Sequence, residues 1–260
     1  MLVSIIMPCF NSEKFIEASI LSVLNQTYPN WELLICDDNS SDNSKKIIQH
    51  YQNSDQRIRL VTNHYSQGAP GARNSCIDQA RGRYIAFLDS DDIWMPDKLR
   101  KQLNFMSENN LSFVYSYYKT INENGDEIGL IKSPNKVNRS MMLFSNFIGC
   151  LTVIYDSKIL GKFHQPNIKK RNDFALWIKI LCQHKNLKAF CYEEVTASYR
   201  VNNYGLSSNK ISALKYYRVC LHRYGSVSNF RLNLYCICYL IIIFTKKKFP
   251  KFYNYLVIKI

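Results

Sequence analysis

The sequence predicts an α/β fold: a mostly parallel sheet with helices on both faces, ending in a basic helical appendage. Three observations carry the prediction. Over the first 120 residues, short apolar runs alternate with segments whose apolar residues recur at helical spacing, the rhythm of repeated βα units. Acidic residues stand directly after two of those runs, at Asp37-Asp38 and Asp89-Ser90-Asp91-Asp92, where open α/β sheets present their ligand-binding edge. The 260-residue chain is also 47% apolar, enough for a real core and too much for a disordered chain.

Taken in order, Val3 to Met7 is an apolar run ending at Pro8, and Ser12 then caps a helix with Phe15, Ile16, Ile20, Val23 and Leu24 on one face. Trp31 to Cys36 is the second strand, and Asp42 or Ser44 starts a helix running to Tyr51. Arg57 to Val61 alternates polar and apolar residues as a third strand. Gly68-Ala69-Pro70-Gly71 leads into a helix over Ala72 to Ala80, and Tyr84 to Leu88 is the fourth strand. Ile93 to Asp97 reads as a helix start capped by Asp97, the helix continuing to Glu108 before a strand over Leu111 to Tyr118. Beyond residue 120 the rhythm changes. Asn124-Gly125-Asp126 is a hairpin-type turn, and Met141 to Tyr155 is apolar without a decisive period. Asp173 to Leu181 is a helix with Phe174, Trp177, Ile178 and Leu181 on one face; Cys191 to Arg200 is extended and Asn209 to Tyr224 helical.

Charge divides the chain. Residues 1–110 hold 11 basic and 13 acidic side chains, whereas residues 111–260 hold 23 basic and 7 acidic, with no acid after Val201. An acidic front and a basic rear suggest two jobs in one chain. The nine cysteines are scattered without a CxxC pair, and the five histidines lack metal-ligand spacing. Both patterns argue for buried thiols in a reducing cytosol, against a disulfide framework or a zinc site. Met1 to Ser4 runs into a strand without a basic leader, so no signal peptide is expected.

Phe87 to Asp92 is the focal stretch. Three carboxylates within four residues at the end of a buried strand repel one another and are costly to desolvate. A divalent cation is the simplest counter-charge; the other reading is an acidic turn before the next helix. No GxGxxG follows the first strand and no GxxxxGK[ST] occurs, so dinucleotide and P-loop chemistries lack their phosphate cradle. A metal bridging carboxylate and diphosphate oxygens would hold a diphosphate without a glycine loop. Arg73, at a Gly-rich helix start, would add charge-assisted contacts.

Five pieces in order then carry a resemblance: residues Ser4-Ile5-Ile6-Met7-Pro8-Cys9-Phe10-Asn11, Ser22-Val23-Leu24-Asn25-Gln26-Thr27, Asp37-Asp38-Asn39-Ser40-Ser41-Asp42, Gly71-Ala72-Arg73-Asn74 and Phe87-Leu88-Asp89-Ser90-Asp91-Asp92. Together they resemble the opening of family 2 glycosyltransferases. The resemblance implies a GT-A fold, with a Rossmann-like nucleotide-sugar half (1–120), an acceptor half (121–205) and a basic helical region (206–260). It implies Pro8, Cys9 and Phe10 beside the nucleotide, Asp38 on the uracil edge, and Arg73 near base or diphosphate. Asp89 and Ser90 fall on the ribose side of a DxD motif, and Asp91 is the implied ligand of Mn²⁺ or Mg²⁺. Simple packing is the alternative for Cys9 and Phe10, and Asp92 is left to help start the next helix.

The family's inverting chemistry also needs a base for the acceptor hydroxyl. Relatives usually supply it from an acidic pair at a helix start, and the matching text is Arg171-Asn172-Asp173-Phe174-Ala175-Leu176-Trp177. Asn172 departs from the acidic first position, so the resemblance leaves Asp173 as the base; the alternative is an ordinary acid favoured by the helix dipole. Ser198-Tyr199-Arg200-Val201-Asn202 resembles the family's YR loop, with Asn202 near where a histidine is common. Arg200 either stabilises the leaving diphosphate or pairs with Glu193 or Glu194.

Leu234 to Phe244 is an eleven-residue apolar run, too short to cross a bilayer, followed by Lys246-Lys247-Lys248. Buried helix and interfacial segment both stay open; with Tyr253, Tyr255 and Lys259 the lysines suit an anionic membrane surface. No nucleic-acid module is present, so nucleic acid is not the expected partner. The resemblance is to bacterial enzymes building O-antigen or capsule repeat units. It implies a UDP-sugar donor, glucose with β1→3 linkage first and galactose second, and an acceptor of GlcNAc- or GalNAc-diphospho-undecaprenol at the inner face of the inner membrane. A sugar nucleotidyltransferase, which needs a Gly-rich basic loop in place of Pro8-Cys9-Phe10-Asn11, and an inactive membrane-associated nucleotide-sugar-binding protein are the rivals.

Overall fold

Strands β1 (Val3–Cys9), β2 (Trp31–Asp37), β3 (Ile58–Val61) and β4 (Tyr84–Phe87) lie in the order β3-β2-β1-β4, all parallel. β1 is buried along its whole length and β2 along all but its last residue, which is why both are mostly apolar; the buried exceptions pair with each other, Ser4 Oγ donating to Glu32 Oε1 at 2.6 Å. The computed structural model describes residues 1–201 and 210–249. Its register pairs Cys9 with Asp37 and Ile6 with Phe87, so the loops leaving β1, β2 and β4 emerge at one edge of the sheet.

Alternate strand residues feed two cores. Ile5, Met7 and Leu33 pack with α1 (Ile16–Leu24), α2 (Ser44–Ser54) and α4 (Lys98–Glu108) through Ile16, Ile48 and Leu99. Ile6, Leu34 and Phe87 pack on the other face with α3 (Ala69–Gln79), α5 (Arg139–Phe144) and α7 (Asn172–Gln183). Trp177 of α7 is the hub there, set edge-on to Phe87 at 5.6 Å and to Phe113 at 5.5 Å. The expected α/β architecture with helices on both faces is therefore present.

The second half extends the same sheet. β6 (Phe113–Ile121) crosses residue 120 and pairs in parallel with β10 (Ala189–Arg200), while β9 (Ile154–Asp156) runs antiparallel between β4 and β6. Residues 122–126 turn β6 into β7 (Glu127–Ile131), with Gly125 at φ +93° and Asn122 Oδ1 accepting from the Asp126 N–H at 2.9 Å. β8 (Lys136–Val137) pairs with the start of β10, and α6 (Ser157–Leu160) follows β9. The ambiguous stretch from Met141 to Tyr155 resolves into the end of α5, a 3₁₀ turn at Cys150–Thr152 and most of β9.

Three expectations are corrected. Ile93–Trp94 is not a helix start but strand β5, antiparallel to β10 through Trp94–Ala197 and Ile93–Ser198. Asp97 occupies the N-cap position of α4, yet its carboxylate bonds Thr27 Oγ1 at 2.8 Å and Arg100 at 2.7 Å, not the helix N–H groups. Ser12 likewise does not cap α1 with its side chain; Phe15 is the cap residue, and Ser12 Oγ turns instead to Ser90.

The C-terminal helices α8 (Lys210–Arg223) and α9 (Asn229–Lys248) pack onto α5 and α7. Tyr217, Cys220, Leu232, Cys236 and Tyr239 enter the same core as Trp177. Among the described residues no helix is long and apolar enough to cross a membrane.

Candidate active site

The site lies where the loops after β1, β2 and β4 meet. The first two are laced together: Asn11 Oδ1 accepts from the Ser41 N–H at 2.8 Å, and the Ser12 N–H donates to Ser44 Oγ at 2.8 Å. Ser12 Oγ and Ser90 Oγ, 2.8 Å apart, tie in the third loop. Pro8 and Cys9 are buried in β1, and burial pushes the Cys9 thiol up to about 11, so Cys9 is a core thiol. Phe10, 55% exposed, is the first aromatic the strand releases at this edge.

Asp38 is buried at the end of β2. Its Oδ2 accepts from the Gly68 N–H at 2.6 Å, at the start of α3 where the helix dipole favours an anion, and its Oδ1 accepts from Asn63 Nδ2 at 2.7 Å. Gly68 adopts φ +121°, and a Cβ on Gly71 would stand 2.0 Å from the Ser66 carbonyl oxygen. Both glycines are thus required for the 63–68 loop to fold back over the helix that presents Arg73.

Arg73 is 5% exposed and lies against the acidic loop. One terminal nitrogen donates to Asp89 Oδ1; the other donates to Gln165 Oε1 at 3.1 Å and Asn172 Oδ1 at 3.4 Å. Burial works against the guanidinium charge, but Asp89, Cys150 and Asp173 outweigh it and hold the proton more firmly than usual. Asn74 grips both main-chain groups of Gln165, at 2.7 and 3.0 Å, which fixes the 162–171 loop against α3. Arg73 Nε and Gln165 Nε2 are buried donors without an acceptor among the described residues. Such donors suit an anionic ligand oxygen.

The acidic loop divides by burial. Asp89 and Asp91 are partly exposed, whereas Asp92 is buried, its Oδ1 accepting from the Arg200 N–H at 2.8 Å and its carbonyl from Ser19 Oγ at 2.7 Å. Asp92 therefore anchors the loop to α1 and β10; it does not start α4. Burial first, then Asp91 and Asp89, push its carboxyl well above the usual range.

Arg200 is 5% exposed and stacks on Phe15 at 4.6 Å. Its Nε donates to the Asp91 carbonyl, and one terminal nitrogen donates to the carbonyls of Asn122 and Glu123, all at 2.9 Å. Glu194 pairs with Lys101 at 2.7 Å instead. The alternative reading of Arg200, a pairing with Glu193 or Glu194, thus gives way to a brace on the acidic loop. Asn202 lies outside the described residues, as do Tyr253, Tyr255, Lys259 and the side chains of Lys246 and Lys247.

Asp173 stands in the first turn of α7 and accepts from Asn146 Nδ2 at 3.0 Å. Burial raises its affinity for a proton, while the Phe174 N–H, Arg73, Arg171 and Asn146 favour the charged form. Arg171, immediately before the helix, adopts φ +62°, a left-handed conformation uncommon outside glycine. Sequence reasoning missed Cys150, Gln165, Asn146 and Tyr199. Cys150 lies within electrostatic reach of Arg73, Asp89 and Asp173, and Tyr199 within reach of Asp92, Asp91, Asp89 and Asp173. Tyr199 stands in the YR stretch, which assigns it no role of its own; Cys150, Gln165 and Asn146 stand in no recognisable motif, and only the tertiary fold brings them together.

Among the described residues, no three His, Cys, Asp or Glu side chains converge into a metal cage. An ion completed by diphosphate oxygens needs only one or two carboxylates from the protein, and the hard oxygen donors of Asp89 and Asp91 fit that demand.

The profile of Glycosyl transferase family 2 matches residues 4–163. The chain is 47% identical over 214 residues to the UDP-Glc:alpha-D-GlcNAc-diphosphoundecaprenol beta-1,3-glucosyltransferase WfgD of Escherichia coli, covering 82% of this chain and 83% of that protein. It is 41% identical over 215 residues to the putative teichuronic acid biosynthesis glycosyltransferase TuaG of Bacillus subtilis (strain 168), covering 82% and 84%. Among solved structures, S. aureus TarS 1-349 in complex with UDP superposes with a TM-score of 0.65 at 19% identity, covering 95% of this chain and 74% of that one. The mannosyltransferase PcManGT from Pyrobaculum calidifontis, in complex with GDP-Man and Mn2+, gives 0.67 at 16% identity, covering 92% and 69%.

Proposed function

The chain belongs to glycosyl transferase family 2 and has the GT-A fold, and from that premise we propose that it moves a hexose from a UDP-sugar, with inversion, to GlcNAc- or GalNAc-diphospho-undecaprenol. Glucose from UDP-glucose, β1→3 linked, is the specific reading, in O-antigen or capsule repeat-unit assembly at the inner face of the cytoplasmic membrane. Residues 1–120 bind the donor and residues 121–205 receive the acceptor.

One observation carries the reading: Arg73 joins the acidic loop, at Asp89, to the residue preceding Asp173, at Asn172. The donor diphosphate and the base are thereby organised by one guanidinium. Asp173 takes the proton of the acceptor hydroxyl as its oxygen bonds the anomeric carbon, and the bond from that carbon to UDP breaks on the opposite face, its electron pair leaving with UDP. Phe10 and Asp38 flank the uracil of the donor, and Asp89 and Ser90 lie on its ribose side. Asp91, with Asp89 beside it, would hold Mn²⁺ or Mg²⁺, which supplies positive charge to the leaving diphosphate. Arg200 acts as a positioning residue by holding the main chain of Asp91.

The test is incubation with UDP-glucose or UDP-galactose, Mn²⁺ and a lipid-diphosphate GlcNAc or GalNAc acceptor. A β1→3 glucosyl disaccharide is expected. Galactosyl transfer would replace the donor, and no product from any common UDP-hexose would remove the transferase reading.

A further inference from the structure

Helix α9 is apolar on two distinct faces. Leu232, Cys236 and Tyr239 are buried in the domain, while Phe230, Leu234, Ile237, Leu240, Ile241 and Phe244 are each at least 50% exposed. At 100° per residue those six fall within one arc of about 120°, centred about 130° around the helix from the packed residues. A stripe of this size on a surface helix marks an interaction surface.

Its borders carry charge of one sign. On α8, Lys215, Arg218 and His222 are exposed at helical spacing, and Arg218 donates to Asn233 of α9 at 2.9 Å, which sets the basic ridge along the edge of the stripe. At the far end the Lys248 ammonium lies 5.6 Å from the Phe244 ring centre. No acidic residue occurs anywhere from 201 to 260. We propose that the outer face of α9, flanked by the α8 ridge, lies in the plane of an anionic lipid surface, with the stripe at acyl-chain depth and the ridge among the headgroups. A second copy of this chain fits less well, because stripe-to-stripe packing would bring two unneutralised basic ridges together.

The same helix reaches the catalytic end of the molecule. Tyr239, on the inner face of α9, accepts a hydrogen bond from Arg171, whose guanidinium also lies 5.9 Å from the Phe174 and Tyr217 ring centres. The lipid-facing helix thus packs directly against the start of α7, where Asp173 stands. Docking by this face brings the start of α7 to within one helix diameter, roughly 10 Å, of the lipid surface, and in that purpose the proposal rests on the lipid-linked acceptor reading above.

Vesicle flotation of the full chain tests it, using phosphatidylcholine alone and phosphatidylcholine with phosphatidylglycerol. The chain is expected to float with the anionic vesicles, and the paired change Ile237→Asp with Ile241→Asp weakens that binding at least about tenfold with unchanged Tm, since both side chains are exposed. Arg218→Glu weakens it by roughly fivefold or more and flattens its salt dependence. Equal binding to neutral and anionic vesicles, or undiminished binding by the Ile237/Ile241 variant, overturns the proposal. So does a dimer in light scattering that this variant converts to monomer, which makes the stripe a contact between copies. Flotation requires no turnover, so a chain that binds anionic vesicles yet transfers no sugar would remove the transferase reading and leave the docking face standing.

Discussion

Asn146 Nδ2 donates to Asp173 Oδ2 at 3.0 Å, so the proposed base is steadied from the 3₁₀-bearing segment 27 residues upstream. Burial raises the pKa of Asp173, and the Asn146 hydrogen bond is one of the contacts opposing that rise. A base works deprotonated, so kcat/KM falls on the acid side through this raised pKa. Asn146→Ala removes a contact that favours the charged form, and the acid limb moves to higher pH. A pH–rate profile checks this, and an unmoved limb takes Asn146 out of the role.

Asp173→Asn keeps the size of the side chain and removes the proton acceptor. Turnover is expected to fall by about 10²–10⁴-fold while UDP affinity, measured by calorimetry, stays nearly unchanged. Retained turnover would exclude Asp173 as the base.

Asp91→Asn is expected to lower kcat/KM by at least about 100-fold and to abolish the strengthening of UDP binding by Mn²⁺. Calorimetry with and without Mn²⁺ reads the second effect independently of turnover. Asp91 binding curves that keep their Mn²⁺ dependence in the variant would move the ligand role elsewhere.

Arg200 holds three main-chain carbonyls from a buried position, and a lysine cannot reach all three. Arg200→Lys is therefore expected to destabilise the fold by about 3 kcal/mol, close to the effect of Arg200→Ala, in urea unfolding. If the residue acted only through its charge on the diphosphate, the lysine variant would keep both its stability and much of its activity.

Lys98 is fully buried on the opposite side of β5, its ammonium donating to Gln102 Oε1 and to the Thr152 carbonyl at 3.0 Å and lying 4.9 Å from the Trp94 ring centre. Burial pulls its pKa well below the ordinary lysine value. A group whose folded pKa is depressed contributes stability that is present above its unfolded pKa and lost as pH falls through the folded one. Lys98→Met has no such loss, so its Tm advantage over the parent grows as pH is lowered. Parallel Tm curves across pH would contradict this account.

Reading the chain by pattern worked where local sequence and tertiary demand coincide. β1 and β2 are buried on both faces and so are mostly apolar, with the buried Ser4–Glu32 hydrogen bond the exception, and α7 shows its buried stripe because Phe174, Trp177 and Leu181 all face one core. Ile93–Trp94 misled because two residues before a proline-containing helix start carry no period; pairing with Ala197 and Ser198, about a hundred residues later, made them a strand. Ser12 and Asp97 stand where helix caps are expected, but stronger tertiary partners, Ser90 and Thr27, took their side chains.

The sequence by itself determined the α/β order, the family, and the identity of the acids at the ends of β2 and β4, because these are written in contiguous residues. Only the tertiary structure decided what each charge does. Asp91 and Asp92 are chemically the same and adjacent, yet the fold leaves one partly exposed and buries the other against the Arg200 N–H. Arg73 meets Asn172 across 99 positions and Arg200 meets Asp91 across 109. Contacts of that span are set by strand register and helix packing, which no local pattern of side chains records.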